Sequence, residues 1–164
     1  MSEVSDAARA GMGAGSMNLH GTAVLVGDRG ILVTGASGSG KTTLALAIVA
    51  RFAEQGRLCR IVADDQLLVS PHHGRVVCRA PAPIAGLAEV HGIGPRAVSF
   101  EPAMVADLVL RLVPAAQMER FQADMVELVA GCALPRIDLA ERNVAAALPI
   151  VASRLGLAPF PVYD

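Results

Sequence analysis

Eight consecutive residues, Gly35-Ala36-Ser37-Gly38-Ser39-Gly40-Lys41-Thr42, constrain this 164-residue chain more than any other stretch. They fit the pattern G-x-x-x-x-G-K-[ST], which carries meaning only where a strand precedes it and a helix follows. Both flanks are legible. Residues 22–26 and 31–34 are β-branched and aliphatic and enclose Gly27, Asp28, Arg29 and Gly30, which predicts two short strands joined by a turn. Over 41–55, Leu44, Ile48, Val49 and Phe52 recur at helical spacing, and Gly56 stands at the C-cap position. Strand, glycine loop and helix in that order turn backbone N–H groups towards phosphate oxygens, with the positive end of the helix dipole behind them. The candidate phosphate-binding residues are therefore Gly35, Ala36, Ser37, Gly38, Ser39, Gly40, Lys41, Thr42 and Thr43. Lys41 is placed to reach the β- and γ-phosphates of ATP, and Thr42 to offer a hydroxyl to Mg²⁺. Lys41 is also the only lysine among fourteen Lys and Arg residues. A compact ammonium fits inside such a loop where a wide, planar guanidinium does not.

A phosphate loop that serves transfer to an alcohol needs an acid near the metal and a base for the incoming hydroxyl. Residues 58–63 read as a short apolar strand that ends in Asp64 and Asp65. Adjacent carboxylates leaving a strand point apart, so one can face the γ-phosphate and nucleophile and the other the metal or its waters. Beyond them, 67–70 and 75–79 flank Pro71, His72, His73 and Gly74 as a hairpin, with no partner spacing that makes the two histidines a metal site. Gly92, Gly94 and Pro95 argue for a loop over 89–96. Residues 105–113 predict a buried strand. Met118, Phe121, Met125, Leu128 and Val129 lie three and four apart, which predicts an amphipathic helix over 115–130 ended by Gly131. A last strand is expected over 137–139 and a final helix over 142–155, kinked or split by Pro149.

Composition narrows the functional classes. A chain of this length forms one domain with a buried core. Its net charge of −1, absence of Trp, single Tyr and four Phe argue against a nucleic-acid surface, which needs a basic face and stacking platforms. Cys59, Cys78 and Cys132 are odd in number and widely spaced, which fits reduced thiols in a cytoplasmic protein better than a disulfide framework. No apolar run approaches a membrane span. The expected layout is a disordered leader over 1–16, a P-loop kinase domain over 17–158 and a tail over 159–164.

Several segments together resemble the catalytic, C-terminal half of the bacterial HPr kinase/phosphorylase family. They are His20-Gly21 before the first strand, "LVTGASGSGKT", "VADD", "LAEVHGIGPRAV", Arg120 in "MERF", and "LPRIDLAERNVA". Of these, "LAEVHGIGPRAV" is similar to a family signature, Glu-X-Arg-Gly-X-Gly. The likeness runs over about 17–156 and implies a short form without the family's N-terminal domain. It implies an α/β P-loop kinase domain of the phosphoenolpyruvate carboxykinase-like type, ATP and Mg²⁺, and a serine of an HPr-type phosphocarrier protein as acceptor, with reverse phosphorolysis. It implies a homo-oligomer, a hexamer. In its terms Asp64 accepts the serine proton, Asp65 and His20 support that carboxylate and the metal, Glu89 sits near Mg²⁺, and Arg120 offsets charge on the transferring phosphate. Thr42, Glu89 and Asp65 form the metal side.

There are departures. His91 stands where the signature usually has Arg, Leu25 where an acid is common, and Thr43 where Glu usually follows the loop, while "SFEPAMVAD" replaces a glycine-rich run. Loop, metal side and base all remain, so the forward reaction is expected ahead of the reverse, which leans on the signature region. Two other readings keep the loop: a small-molecule P-loop kinase, and a nucleotide-gated regulatory module without efficient transfer.

Overall fold

The computed structural model describes residues 15–160. The leader reading therefore lies outside the described residues except for Gly15 and Ser16, and so do the last four residues of the tail. The elements are β1 (Met17–His20), β2 (Thr22–Val26), β3 (Arg29–Gly35), α1 (Lys41–Ala53), β4 (Cys59–Ala63), β5 (Gln66–His72), β6 (Arg75–Arg79), β7 (Leu87–Val90), β8 (Gly94–Ala97), β9 (Ala103–Val113), β10 (Met125–Val129), β11 (Cys132–Ala140) and α2 (Val144–Arg154). Nine strands form a mixed sheet, in the order β1-β5-β6-β9-β3-β2-β4, with β11 parallel to β9 and β10 beyond β11. The result is an α/β fold.

Strand β9 is the hub because it is eleven residues long and buried on both faces over Leu108, Val109 and Leu110. Its start pairs antiparallel with β6, its end parallel with β11, and its other edge parallel with β3. Gly30 permits the last of these: a Cβ there would lie 1.9 Å from the Val105 carbonyl oxygen. Its N–H donates to Asp107 Oδ2 at 2.9 Å. Strand β3 is buried from Gly30 to Thr34, as expected of a strand covered on both faces. Ile31 and Val33 enter one core with Leu44, Ile48 and Phe52 of α1 and Val151 of α2. Leu32 enters a second core built from strand residues alone, among them Leu67, Val69, Val76 and Val109. Both helices thus cover one face, and α1 starts where β3 ends.

Two sequence expectations need correction. Residues 115–130 are not a helix: one 3-10 turn over Ala115–Gln117 is followed by extended chain and β10. The helical stripe is not buried, since Phe121 is 82% and Leu128 74% exposed. Tertiary pairing prevails instead. Gln122 donates to the Asp138 carbonyl oxygen and accepts from the Asp138 N–H, and Ala130-Gly131, with φ of 48° and 77°, turns β10 back onto β11. Two consecutive positive φ values are the signature of the tight turn that matches strand twist. The expected loop over 89–96 is a hairpin, β7 paired with β8. Helix α2 passes through Pro149 unsplit. Ala145, whose carbonyl loses its donor there, is exposed to water.

Candidate functional site

The loop after β3 is held in a shape that leaves its inner surface polar and open. Gly35, Gly38 and Gly40 have φ of 148°, 74° and 96°, values that side chains disfavour. Gly35 also lacks room, because a Cβ would stand 2.8 Å from Ser39 Oγ and 3.0 Å from the Leu112 carbonyl oxygen. Gly40 is the N-cap of α1 and contributes no side-chain cap, and the first turn carries no acid. The free N–H groups of a helix start are thus available to an anion. Lys41 is buried, and its Nζ donates to the carbonyl oxygens of Gly35 at 3.2 Å and Ala36 at 2.9 Å. Ser39 Oγ and Thr34 Oγ1 are buried without a hydrogen-bond partner, unmet capacity at the base of the loop.

The acidic side is built at the end of β4. Asp64 is buried and accepts from Thr22 Oγ1 at 2.8 Å, Thr42 Oγ1 at 2.7 Å and the Glu89 N–H at 2.9 Å. One carboxylate thus joins β2, the start of α1 and the β7–β8 hairpin. Asp65 next to it behaves differently. Its φ is 68°, and the Gln66 N–H donates to the Asp64 carbonyl oxygen across it at 2.9 Å, the strained form of γ-turn. Strain of this kind concentrates where function requires a side chain to be aimed. The turn sends Asp65 into the open, 64% exposed, with Oδ1 3.3 Å from His20 Nδ1.

A cleft of about 430 Å³ gathers these groups: Ser37, Gly38 and residues 40–43 of the loop, with His20, Asp64, Asp65 and Glu89, all border it. Of the expected site residues, Gly35, Ala36 and Ser39 belong to the loop without bordering the cleft, and Arg120 lies elsewhere. Arg120 borders a different pocket, with Gln122, Arg136 and Arg154, and its guanidinium lies 5.3 Å from the Phe121 ring centroid. Within one chain it is not part of the cleft. Three members escaped the sequence reading. His91 borders the cleft, and its only signal was its place in the signature-like segment. Thr22 is fully buried at the foot of Asp64, a polar residue in an apolar strand. Arg142 closes over the loop, its Nε donating to the Gly38 carbonyl oxygen at 3.0 Å and its N–H to the Ser39 carbonyl oxygen at 3.1 Å. With a separation of 104 in sequence between Arg142 and Gly38, no local pattern joins them.

The donor set suits a nucleotide with Mg²⁺. Among the described residues no group of three or more His, Cys, Asp and Glu could hold a metal by itself. Mg²⁺ asks for less, since it is bound through one or two protein oxygens together with phosphates and waters. Thr42, Asp65 and Glu89 at the cleft wall can supply those oxygens.

Comparison with known proteins agrees with this geometry. A family model described as HPr Serine kinase C-terminal domain matches residues 13–100. The HPr kinase/phosphorylase of Clostridium beijerinckii is 40% identical over 76 residues, 46% of this chain and 23% of that protein. The HPr kinase/phosphorylase of Lactobacillus acidophilus is 41% identical over 78 residues, 47% of this chain and 22% of that protein. The matched stretch thus spans less than a quarter of these relatives. Among solved structures, the HPr(Ser) kinase/phosphatase from Coxiella burnetii superposes with a TM-score of 0.71 at 20% identity, covering 85% of this chain and 95% of that one. That likeness shows a shared fold extending to elements beyond residue 100. With a glycine loop of this geometry lying inside the matched stretch, the chain belongs to the HPr serine kinase C-terminal domain family.

Proposed function

We propose that this chain binds ATP and Mg²⁺ in the cleft and transfers the γ-phosphoryl group to a serine of an HPr-type phosphocarrier protein. The observation that carries the reading is the junction of Thr42 with Asp64 at 2.7 Å beside the exposed Asp65–His20 pair, which puts a metal-side acid and an accessible base at one end of the phosphate loop. Lys41 leaves its two loop carbonyls for the phosphates. Thr42 and Glu89 would hold Mg²⁺, which when bound neutralises charge on the β- and γ-oxygens and leaves Asp65 for the proton. The serine Oγ–P bond forms as the bond to the β-phosphate oxygen breaks; the serine proton passes to a carboxylate, and ADP departs. In phosphorolysis an oxygen of inorganic phosphate attacks the phosphoserine phosphorus, the new P–O bond forming as the serine Oγ–P bond breaks; pyrophosphate leaves and the serine oxygen takes its proton back from the same carboxylate.

Family resemblance gives the proton to Asp64. Hydrogen bonding favours Asp65, because both oxygens of Asp64 already serve donors, whereas Asp65 faces the cleft and its histidine neighbour can steady it. Asp64 then acts as the post that fixes Thr42 and the β7–β8 hairpin. Incubating the protein with labelled ATP, Mg²⁺ and HPr-type proteins tests both levels. Asp65→Asn is expected to retain ATP binding and lose transfer by about 10²-fold or more. Transfer unchanged in Asp65→Asn but abolished in Asp64→Asn returns the base role to Asp64. Label appearing only in small alcohols, or in nothing, removes the protein-serine assignment.

The proposal extends to a phosphoenolpyruvate carboxykinase-like type of P-loop domain, supported by the mixed sheet around β3, and to a cytoplasmic homo-oligomer, a hexamer, that sizing in solution would test. No helix among the described residues is long and apolar enough to cross a membrane.

A further inference from the structure

The cleft has two ends, and the cavities adjoining it tell them apart. One neighbouring cavity shares Asp64, Asp65 and Glu89 with it. The other shares Gly40, Thr43 and Arg142 and none of the acids. The acidic end holds the base and metal side, so it takes the γ-phosphoryl group. A linear triphosphate starting there and following the loop must place its α-phosphate, and whatever is attached to it, at the Thr43 and Arg142 end.

We infer that the second cavity receives the base of the nucleotide, with Arg142 as its cover. This rests on the phosphate-cradle reading of the cleft. The cavity measures about 180 Å³, below the roughly 300–1,000 Å³ of sites that enclose a whole drug-sized ligand, and so takes one flat ring system. Its walls are apolar: Leu44 of α1, Leu112 at the end of β9, Ala140 at the end of β11, and Val144 and Ala147 of α2. A phosphate gains nothing in such a space, and an aromatic base does. Arg142 is pinned at the junction by its bonds to Gly38 and Ser39, and a planar guanidinium stacks on an aromatic ring while staying paired. Little in the cavity reads the edge of a base. Among the described residues the polar side chains lining it besides Arg142 are Thr43, assigned to phosphate, and Asn143, which is exposed and tied by its Oδ1 to the Ala146 N–H at the helix start. Recognition is therefore by shape, which discriminates by about 10–200-fold rather than by the 10⁴ or more that a hydrogen-bonding pocket achieves.

The test compares a ligand that has a base with one that does not. Binding of ADP, GDP and inorganic tripolyphosphate, each with Mg²⁺, is measured by calorimetry on wild type, Val144→Phe and Ala147→Leu. Val144 is at the partly exposed start of α2, on the rim of the core, and a ring there narrows the cavity mouth; a larger side chain at Ala147 narrows the cavity from inside. The expected result is ADP affinity reduced about 10-fold or more in at least one variant with tripolyphosphate unchanged, and ADP and GDP within about 100-fold of one another in wild type. Unchanged ADP binding in both variants, equal loss of ADP and tripolyphosphate in both, or near-absolute choice of one purine would overturn the inference. A wild type that binds no tripolyphosphate defeats the cradle reading itself, and the inference with it.

Discussion

Removing the Asp64 carboxylate separates its structural role from its chemical one. In Asp64→Ala the Thr22 hydroxyl, fully buried, loses the one acceptor it has among the described residues, and the Glu89 N–H loses its side-chain acceptor. A buried polar group left unmet costs about 1–3 kcal/mol. Thr22 falls in the middle of that range because water cannot reach it, and the part-buried Glu89 N–H at the bottom. The sum is about 3 kcal/mol, reduced somewhat because a buried charge disappears as well. Asp64→Asn has another outcome. Its carbonyl oxygen can accept from the Glu89 N–H while its amide donates to Thr22 and Thr42, whose hydroxyls rotate to accept, so the loss stays near 1 kcal/mol. Urea unfolding at neutral pH reads the difference: at a slope of about 2 kcal/mol per molar, Asp64→Ala moves the midpoint down by roughly 1.5 M and Asp64→Asn by about 0.5 M. Adding Thr22→Val to Asp64→Ala removes the stranded hydroxyl and should recover 1 kcal/mol or more, about the cost of one unmet group. Equal midpoints for Asp64→Ala and wild type, or no recovery in the double variant, would refute the reasoning.

Lys41→Arg should fail to bind ATP as completely as Lys41→Ala, because the buried ammonium sits between two loop carbonyls with no room for a guanidinium; calorimetry with Mg·ATP checks it. Gly30→Ala, with its Cβ 1.9 Å from a backbone oxygen at the centre of the sheet, should cost more than about 3 kcal/mol and yield chain that does not melt cooperatively. Burial pushes the Cys78 thiol from its ordinary 9.0 up to about 12. The folded protein therefore keeps this proton longer than the unfolded chain, so the stabilisation is intact below pH 9 and is lost as pH rises towards 12, at about 1.4 kcal/mol per pH unit. Urea midpoints between pH 8 and pH 11 should fall less steeply in Cys78→Ala, and identical slopes would contradict this.

The parts of the fold that local chemistry dictates were legible in the residues. The glycine loop, α1, β2, β3, the β5–β6 hairpin and most of β9 appear where spacing and turn residues place them, and Asp64, Asp65, His20 and Glu89 border the same cleft as the loop. What was lost depends on distant partners. Residues 115–130 carry spacing that a helix could use, but β11 offers β10 a complete set of backbone partners and Asp138 offers Gln122 both of its groups. Arg142 reaches the loop only because β11 runs parallel to β9 and delivers the next residues beside Gly38. The unequal roles of Asp64 and Asp65 follow from one left-handed residue, and an Asp-Asp pair gives no warning of which will adopt it.

The central position of β9 also sets an order of events during synthesis. Strands β3 and β6 leave the ribosome well before residues 103–113 and meanwhile present bare edges to one another's solvent. Neither can complete its ladder until the late strand slides between them, a long-range closure that slows folding and exposes unpaired backbone on the way. The phosphate loop hangs from the end of β3, so the strand that steadies its nucleotide cradle is made about seventy residues after the loop itself.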